Sequence, residues 1–478
     1  MHANIPDTPD DSSTAETGPW YRSLNRYHWF VFVVAALGWL FDTMDQQLFT
    51  LARPLAMNEL IVAERLPGES DDAYTSRIKT LPKEQQDELN AKRKEYGGYA
   101  TSIFLIGWAT GGLFFGVLGD RWGRVKTMLA TIIIYSIFTG LSAFSRNFWD
   151  FCFWRFLTGL GVGGEFAVGV SLVAEVMPSR ARPHALGLLQ ALSAVGNITA
   201  ALIGMAGTSW QTMFLIGTAP ALLSLVVRRR LKEPERWQSV SATEGVAKQL
   251  GSYGELFGNP ELRYRALIGL LLASAGVIGL WGIGFFTPDL QREVFRPVFE
   301  AEGLKGPELD AALKKWSGVT SLVLNLGAFF GIYMFSHVSH YIGRRATFAL
   351  CLIGAMLATM NVFWNLGKFH GVYDIFWMVP VMGFFQLSIF GGYAVYFPEL
   401  FPTRLRSTGT SFCYNVGRFV AALGPFTLGK LIKSVYSGPG YQGADSFRYA
   451  GVTMCLIFLI GLIALPFAPE TKGKPLPE

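Results

Sequence analysis

Twelve apolar runs punctuate the chain, near residues 29–53, 97–118, 127–145, 150–175, 184–207, 211–228, 264–287, 317–338, 347–366, 374–397, 408–433 and 448–468. Each is long enough to cross the roughly 30 Å hydrocarbon core of a bilayer as a helix. Inside a bilayer every backbone N–H and C=O must find its partner within the segment, so runs of this kind predict an all-α membrane fold of twelve transmembrane helices. The balance of residues agrees: 51% of the 478 residues are hydrophobic and 16% are charged, against about a quarter charged in soluble domains. The net charge of +6 does not point to nucleic acid, because the basic residues gather in short loops between apolar runs, where they set topology.

A polar stretch from Arg228 to Arg265, containing RRR and EPERW, divides the runs six and six. The expected organisation is a tail over 1–28, a six-helix bundle over 29–228, a central linker over 229–263, a second six-helix bundle over 264–468 and a tail over 469–478. With both termini cytoplasmic, the inside segments hold about 21 of the 41 basic residues, eight of them in the Arg228 to Arg265 stretch, so both termini are expected on the cytoplasmic side, in a bacterial inner membrane. Two long segments of mixed charge, 58–96 and 289–316, read as outside loops in matching positions of the two halves. The first 28 residues are polar, so the first span is expected to act as the targeting signal. Cys152, Cys351, Cys413 and Cys455 all fall inside apolar runs, where packing is their default role.

An internal repeat runs through both halves. Glu175-x-x-Pro178-Ser179-Arg180-x-Arg182 returns as Glu399-x-x-Pro402-Thr403-Arg404-x-Arg406, Val195-Gly196 as Val416-Gly417, and Gly123-Arg124 as Gly343-Arg344. All three recur at roughly 220 positions, which argues for a duplicated six-helix unit with a ligand site near midplane between the copies.

Charges inside the runs are the candidate working parts. Asp42 and Asp45 lie in the first run, and a charge at bilayer depth costs about 2.5–3.5 kcal/mol on insertion scales, so such residues mark function by default. Helical spacing puts Gly38, Asp42, Asp45 and Phe49 on one stripe. Two carboxyls three residues apart disfavour double ionisation, which makes the pair the first candidates for proton binding; the alternative is a static pairing with basic groups. Arg155 and Glu165 lie ten positions apart on one span, about 15 Å along its axis, too far to pair with each other. Arg155 is expected to approach the Asp42/Asp45 face, as a coupling group or a static ion pair, and Glu165 to serve as a relay or as an interface hydrogen bond. Arg418 is the candidate for an anionic substrate, because a guanidinium forks onto a carboxylate bidentately; its alternative is a partner for a backbone carbonyl or another buried acid. Tyr414, Asn415, Gln190, Asn197, Gln386 and Trp281 are the further candidates for the lining.

The run Gly119-Asp120-Arg121-Trp122-Gly123-Arg124 resembles the signature loop of the major facilitator superfamily, and Arg155-Phe-Leu-Thr-Gly159-Leu-Gly161 resembles its second signature. Pro469-Glu470-Thr471-Lys472-Gly473 is similar to the closing motif of sugar porters and their organic-ion relatives. Within the superfamily, the PWYRSLNRYHW stretch, the Leu37–Asp45 stretch and Gly163-Gly164-Glu165-Phe166 resemble the sialate:proton symporter group and related metabolite symporters. Span seven lacks the paired glutamines and asparagine that sugar porters use. The resemblance implies a proton-coupled symporter for a small organic anion, sialic-acid-like or a monocarboxylate; a neutral-sugar porter and an uncoupled receptor or channel are the alternatives, and sodium in place of the proton stays open.

Gly119, Asp120, Arg121, Gly123 and Arg124, with Arg344 in the second half, are expected to latch the cytoplasmic side, Asp120 favouring the positive end of a helix in the other half. His340 stands where the second copy would carry its acid. Gly159, Gly161, Gly163 and Gly164 do not form a phosphate cradle, because no strand precedes them and no Lys-Ser/Thr follows; close helix packing is their expected role. The expected chain is a monomeric carrier without cofactor, metal or catalytic residue, partnered by an organic anion, a proton and the bilayer.

Overall fold

The apolar runs fold as helices in a computed structural model that describes residues 19–62, 70, 77, 81–243, 249–437, 440, 441 and 444–477. Much of the N-terminal tail, parts of the 58–96 segment and residues 244–248 of the linker therefore lie outside the described residues. The first bundle comprises α1 (Arg26–Leu60), α2 (Lys83–Arg121), α3 (Arg124–Ser142), α4 (Phe148–Val176), α5 (Arg182–Met205), α6 (Trp210–Ile216) and α7 (Ala221–Arg230). Two short linker helices follow, α8 (Glu235–Ala242) and α9 (Tyr253–Gly258). The second bundle comprises α10 (Pro260–Ile278), α11 (Thr287–Ala301), α12 (Gly306–Ile342), α13 (Arg344–Asn365), α14 (Ile375–Leu400), α15 (Arg406–Ala421), α16 (Gly424–Lys430), α17 (Asp445–Met454) and α18 (Phe458–Ala464). Among the described residues there is no strand.

Among the described residues, ten helical stretches are long and apolar enough to cross a membrane. The sixth and eleventh expected spans are helical too, but each is interrupted, between Ile216 and Ala221 and between Ala421 and Gly424. Among the described residues, the segments read from sequence as long loops contain helix: α2 extends back to Lys83, and α11 with the start of α12 fills most of 289–316. Mixed charge did not argue against helix there, since pairs such as Glu88 and Lys92, at i and i+4, support one.

Local chemistry sets the ends. Asn25 caps α1 through the His28 N–H at 2.8 Å, and the His28 ring accepts the Asn25 N–H in return at 3.2 Å. Asn147 caps α4 through the Asp150 N–H at 2.9 Å. The repeated Gly-Arg is a turn: Gly123 and Gly343 have φ of 109° and 92°, a region costly to any residue with a Cβ. Between helices the glycines act as the sequence implied. Those of α4 lie against α2 and α3, and a Cβ on Gly161 would stand 2.6 Å from the Tyr135 backbone nitrogen. Gly327 and Gly331 of α12 pack on the α14 backbone in the same way.

The termini, the linker and the Gly-Arg turns share one end of the molecule, here called the linker face; the opposite end is the loop face. The seventh span does not run straight. α10 passes into a π turn, Gly279–Ile283, and a 3-10 turn, Gly284–Phe286, before α11, an irregularity that frequently marks functional sites.

Candidate functional site

That irregular turn forms one wall of a cavity of about 160 Å³ between the two bundles. Trp39, Thr43, Gln46 and Gln47 of α1, Trp108 of α2 and Gln190, Ser193 and Asn197 of α5 face it from the first bundle. Leu280 and Trp281 of the π turn, Ser321 and Asn325 of α12, Phe390 of α14, and Tyr414 and Arg418 of α15 face it from the second.

Arg418 is fully buried and oriented on three sides. Its Nη1 donates to the Tyr414 carbonyl at 2.5 Å and to Asn415 Oδ1 at 3.1 Å. Its guanidinium lies over the rings of Trp108 and Tyr414, 4.0 and 4.2 Å from their centroids, a favourable contact once water is excluded. Nε and Nη2 have no hydrogen-bond partner. Elsewhere in the molecule the same two atoms take up carboxylates: Arg124 holds Glu175 through Nε and Nη2 at 3.2 and 2.7 Å, and Arg344 holds Glu399 at 3.2 and 2.8 Å. Arg418 thus lines the cavity while the edge that two other arginines use for a bidentate carboxylate stays buried and unpartnered.

Of the other lining candidates, Tyr414 stacks on Phe166 at 3.9 Å, Trp281 meets Trp108 edge-on at 5.6 Å, and Gln190 keeps Oε1 unpartnered. Asn197 donates across the interface to Asn325 at 2.9 Å. Two expectations need correction. Gln386 is buried behind the wall, donating to the Gly279 carbonyl at 3.0 Å, where it braces the π turn. Asn415 is also off the wall; its amide group donates to the Ser411 carbonyl at 3.0 Å and its oxygen orients Arg418. Both are correct in depth, but their short reach is used up by backbone.

The acids do not share one partner. Asp42 accepts from Gln46 at 3.0 Å, keeps Oδ1 unpartnered, and lies in the field of Arg418 across the interface. Asp45 pairs with Arg155 at 3.8 Å. Arg155 also donates to Ser142 and Thr158 at 3.0 and 2.9 Å and lies over the Phe214 and Phe49 rings. Glu165 accepts from Thr131 at 2.6 Å. All four ionisable groups are buried, so removing one partner leaves an uncompensated charge. Sequence reasoning missed Trp39, Trp108, Gln46, Gln47, Ser321 and Asn325 on the wall, because a tryptophan or amide in a span carries no signal of which way it faces.

At the linker face the bundles are bolted by charge. Asp120 accepts from the backbone N–H groups of Ser407 and Thr408 at 3.1 and 2.8 Å and from the Thr408 hydroxyl at 2.6 Å, all at the N-terminus of α15. Arg124 donates to Asp120 at 2.8 Å and to the Thr403 carbonyl at 2.8 Å. Glu175, held by Arg124, also accepts from Arg406 at 2.8 Å. Arg121 instead donates to the Leu250 carbonyl in the linker at 3.0 Å, and Gly119 packs on Ser407 and Val168. In the second copy Arg344 turns to Ser339 and Glu399. His340 faces His184 with ring centroids 5.8 Å apart, alongside His337.

One further repeat was missed. Glu233 accepts from the Val125 and Lys126 N–H groups, and Glu470 from those of Arg344 and Arg345, so each caps the helix that follows a Gly-Arg turn. The two sit at a different spacing from the other repeats. Burial pushes the Glu233 carboxyl up; at Glu470 burial pushes the same way, but four backbone N–H groups outweigh it and hold that carboxyl below its ordinary range.

Residues 35–425 match the sequence profile of the Major Facilitator Superfamily. The chain belongs to that superfamily. A protein of Haemophilus influenzae, provisionally described as a metabolite transport protein, is 30% identical over 389 residues, covering 80% of this chain and 88% of that one. The cis,cis-muconate transport protein of Acinetobacter baylyi is 28% identical, covering 81% and 90%. Among solved structures, the proton:xylose symporter XylE of Escherichia coli matches with a TM-score of 0.67 at 17% identity, over 94% of this chain and 98% of that one, a likeness of fold. The chain is thus a multi-pass membrane transporter and not an enzyme.

Proposed function

We propose that this transporter carries a compact organic monocarboxylate together with protons, by alternating access between the two bundles. The observation that carries the reading is the buried, unpartnered Nε/Nη2 edge of Arg418, a residue that lines the cavity. A buried guanidinium with its fork open costs free energy unless an anion completes it. The size of the cavity supports a ligand of about one six-membered ring, since an apolar cavity of about 150 Å³ is known to take up benzene. The aromatic walls suit a planar body. On the wall, the buried polar atoms without partners are few: Gln190 Oε1, the indole nitrogens of Trp39 and Trp108, and Arg418 itself. The cavity surface is mostly apolar, and that favours a carboxylate with little other polarity over a polyhydroxylated sugar acid or a neutral sugar. The name of the Acinetobacter relative, a cis,cis-muconate transport protein, supports the carboxylate part of this reading.

For coupling, Asp42 is the natural proton acceptor, because it faces Arg418 across the interface. A substrate carboxylate on Arg418 satisfies the cation that otherwise balances Asp42, and Asp42 then takes a proton to remain neutral in the apolar interior. Cytoplasmic termini, a latch at the linker face that must open for release inward, a six-plus-six division at the linker and a monomeric inner-membrane carrier complete the proposal.

The test is a thermal-shift series on the purified chain with benzoate, cis,cis-muconate, N-acetylneuraminate and glucose, since a ligand that binds the native state raises its apparent stability. Benzoate or muconate should stabilise the unsubstituted protein and not Arg418→Ala. Stabilisation by glucose alone, or an unchanged carboxylate shift in Arg418→Ala, would refute the anion reading. Uptake driven by an imposed pH gradient should be lost when Asp42 and Asp45 are both replaced by Asn, and its persistence would remove the coupling scheme.

A further inference from the structure

The acids of the first bundle are stacked in depth, and α3 presents a matching row of hydroxyls. On α1, Gly38, Asp42 and Asp45 follow one another toward the loop face, about 10 Å from first to last at 1.5 Å per residue. Glu165 joins the row at its linker-face end, where a Cβ on Gly38 would stand 2.6 Å from Glu165 Oε1. Along α3, Thr131, Tyr135 and Thr139 recur every four residues, about 6 Å apart on one face.

The first and last of these hydroxyls lie beside an acid. Thr131 donates to Glu165. Thr139 and Asp45 press on the same point of the chain: a Cβ on Gly217 would lie 2.6 Å from Thr139 Cγ2 and 3.0 Å from Asp45 Oδ1. Tyr135, between them, is fully buried and lies in the field of Asp42, Asp45 and Glu165 together. Tyr135 Oη, Thr139 Oγ1, Asp42 Oδ1, Glu165 Oε1 and both Asp45 oxygens have no hydrogen-bond partner. Buried polar groups in native proteins are seldom left so, and here all of them belong to α1, α3 and α4 of the first bundle. None of these residues lines the substrate cavity. The charged groups that face the set are Arg155 at Asp45 and Arg418 at Asp42.

We propose that Tyr135, with Thr139 and Thr131, forms a proton track inside the first bundle, linking Asp45, Asp42 and Glu165 by a route separate from the substrate's. Tyr135 accepts a proton on its oxygen from one protonated carboxyl as it passes its own hydrogen to the next carboxylate, and ends as the same phenol. Thr139 and Thr131 act likewise at the two ends. These are positioning and relay residues and do not touch substrate. Gln46 joins the track to the cavity, since it lines the cavity and donates to Asp42.

The track rests on the proton-coupled reading, but its test needs neither substrate nor flux. The full chain in liposomes is exchanged into D2O and the carbonyl band of protonated carboxyls is followed by time-resolved infrared spectroscopy. The band should shift quickly in the unsubstituted protein and several-fold more slowly in Tyr135→Phe and Thr139→Val, with the fast rate restored in Thr139→Ser. Thr139→Val keeps the shape of the side chain, so it decides the matter even if Tyr135→Phe fails to fold. Equal exchange rates in the unsubstituted protein and in Thr139→Val would overturn the track, as would the lack of any protonated-carboxyl band across the neutral range. Persistence of gradient-driven uptake in the Asp42/Asp45 pair of substitutions bears only on the coupling scheme, so the two failures are distinguishable.

Discussion

Replacing Asp120 by Asn should open the linker face. In the closed arrangement Asp120 is fully buried and takes three hydrogen bonds from the second bundle, two from the backbone of α15 and one from Thr408. Hydrogen bonds to a charged acceptor contribute about 1.5–3 kcal/mol each. Asn retains one acceptor oxygen, so one or two of the three are kept in neutral form, and the attraction to the helix N-terminus, about 0.3–2 kcal/mol, is lost with the charge. The salt bridge to Arg124 is lost as well, but Arg124 keeps Glu175 and the Thr403 carbonyl. The net is about 3 kcal/mol against the closed state, roughly a hundredfold in the closed-to-open ratio. Trp122 and Tyr341 are exposed on the linker face of the first and second bundles. Spin labels at those two positions report the gap by pulsed electron resonance. The longer-distance population should grow in Asp120→Asn and stay unchanged in a control such as Leu222→Ala, an exposed residue of the first bundle away from the latch. A distance distribution identical to that of the unsubstituted protein would refute the assignment of Asp120 as the bolt.

Three further outcomes follow from the packing and the caps. Gly161→Ala places a Cβ 2.6 Å from the Tyr135 nitrogen and should destabilise by about 1–3 kcal/mol through overpacking, read as a lower melting temperature in detergent. Asn25→Ala removes the cap of α1 and should cost about 0.5–2 kcal/mol, measured in the same way. Glu470, held below its ordinary range against burial by backbone N–H groups, contributes stability that is present at neutral pH and is lost as the pH falls from the usual glutamate range, about 4.3, through its lower folded value. The acid limb of melting temperature against pH should therefore be shallower in Glu470→Gln, and an unchanged limb would remove Glu470 as a stabilising cap of α13.

The fold was legible because the bilayer leaves so little choice: a run of apolar residues long enough to span must be a helix, and the Gly-Arg turns recur where two bundles require them. The buried charges were legible because their cost demands a use. What stayed hidden depends on rotation about a helix axis. Asn415 and Arg418 lie three apart on one face, yet only the longer side chain reaches the cavity. Gln386 was read as lining and turned out to brace a π turn that no periodicity announces. The glutamates Glu233 and Glu470 do the same work at unequal spacing, so a search for one constant offset passes over them.

The two ends of the interface are built of different chemistry. At the linker face the bonds between bundles involve carboxylates and guanidinium groups, and none of Asp120, Arg124, Glu175 or Arg406 lines the cavity. Toward the loop face several crossings are neutral, Asn197 to Asn325, Gln47 to Ser321 at 3.3 Å, and Ser102 to the Ala422 carbonyl at 3.1 Å, beside a charged one in which Arg53 of α1 lies in the field of Asp289 of α11. Neutral hydrogen bonds net about 0.5–1.5 kcal/mol, half or less of charged ones. Four of these neutral partners also line the cavity, so a ligand competes with them directly and can loosen the loop face by contact alone. It cannot reach the charged bolt. What it can reach is α15, which carries Thr408 against Asp120 and Arg418 against the cavity, ten residues and about 15 Å apart on one helix. A carboxylate that draws on Arg418 therefore pulls the helix whose other end holds the latch, and that helix is the shortest continuous element by which occupancy of the cavity can be felt at the linker face.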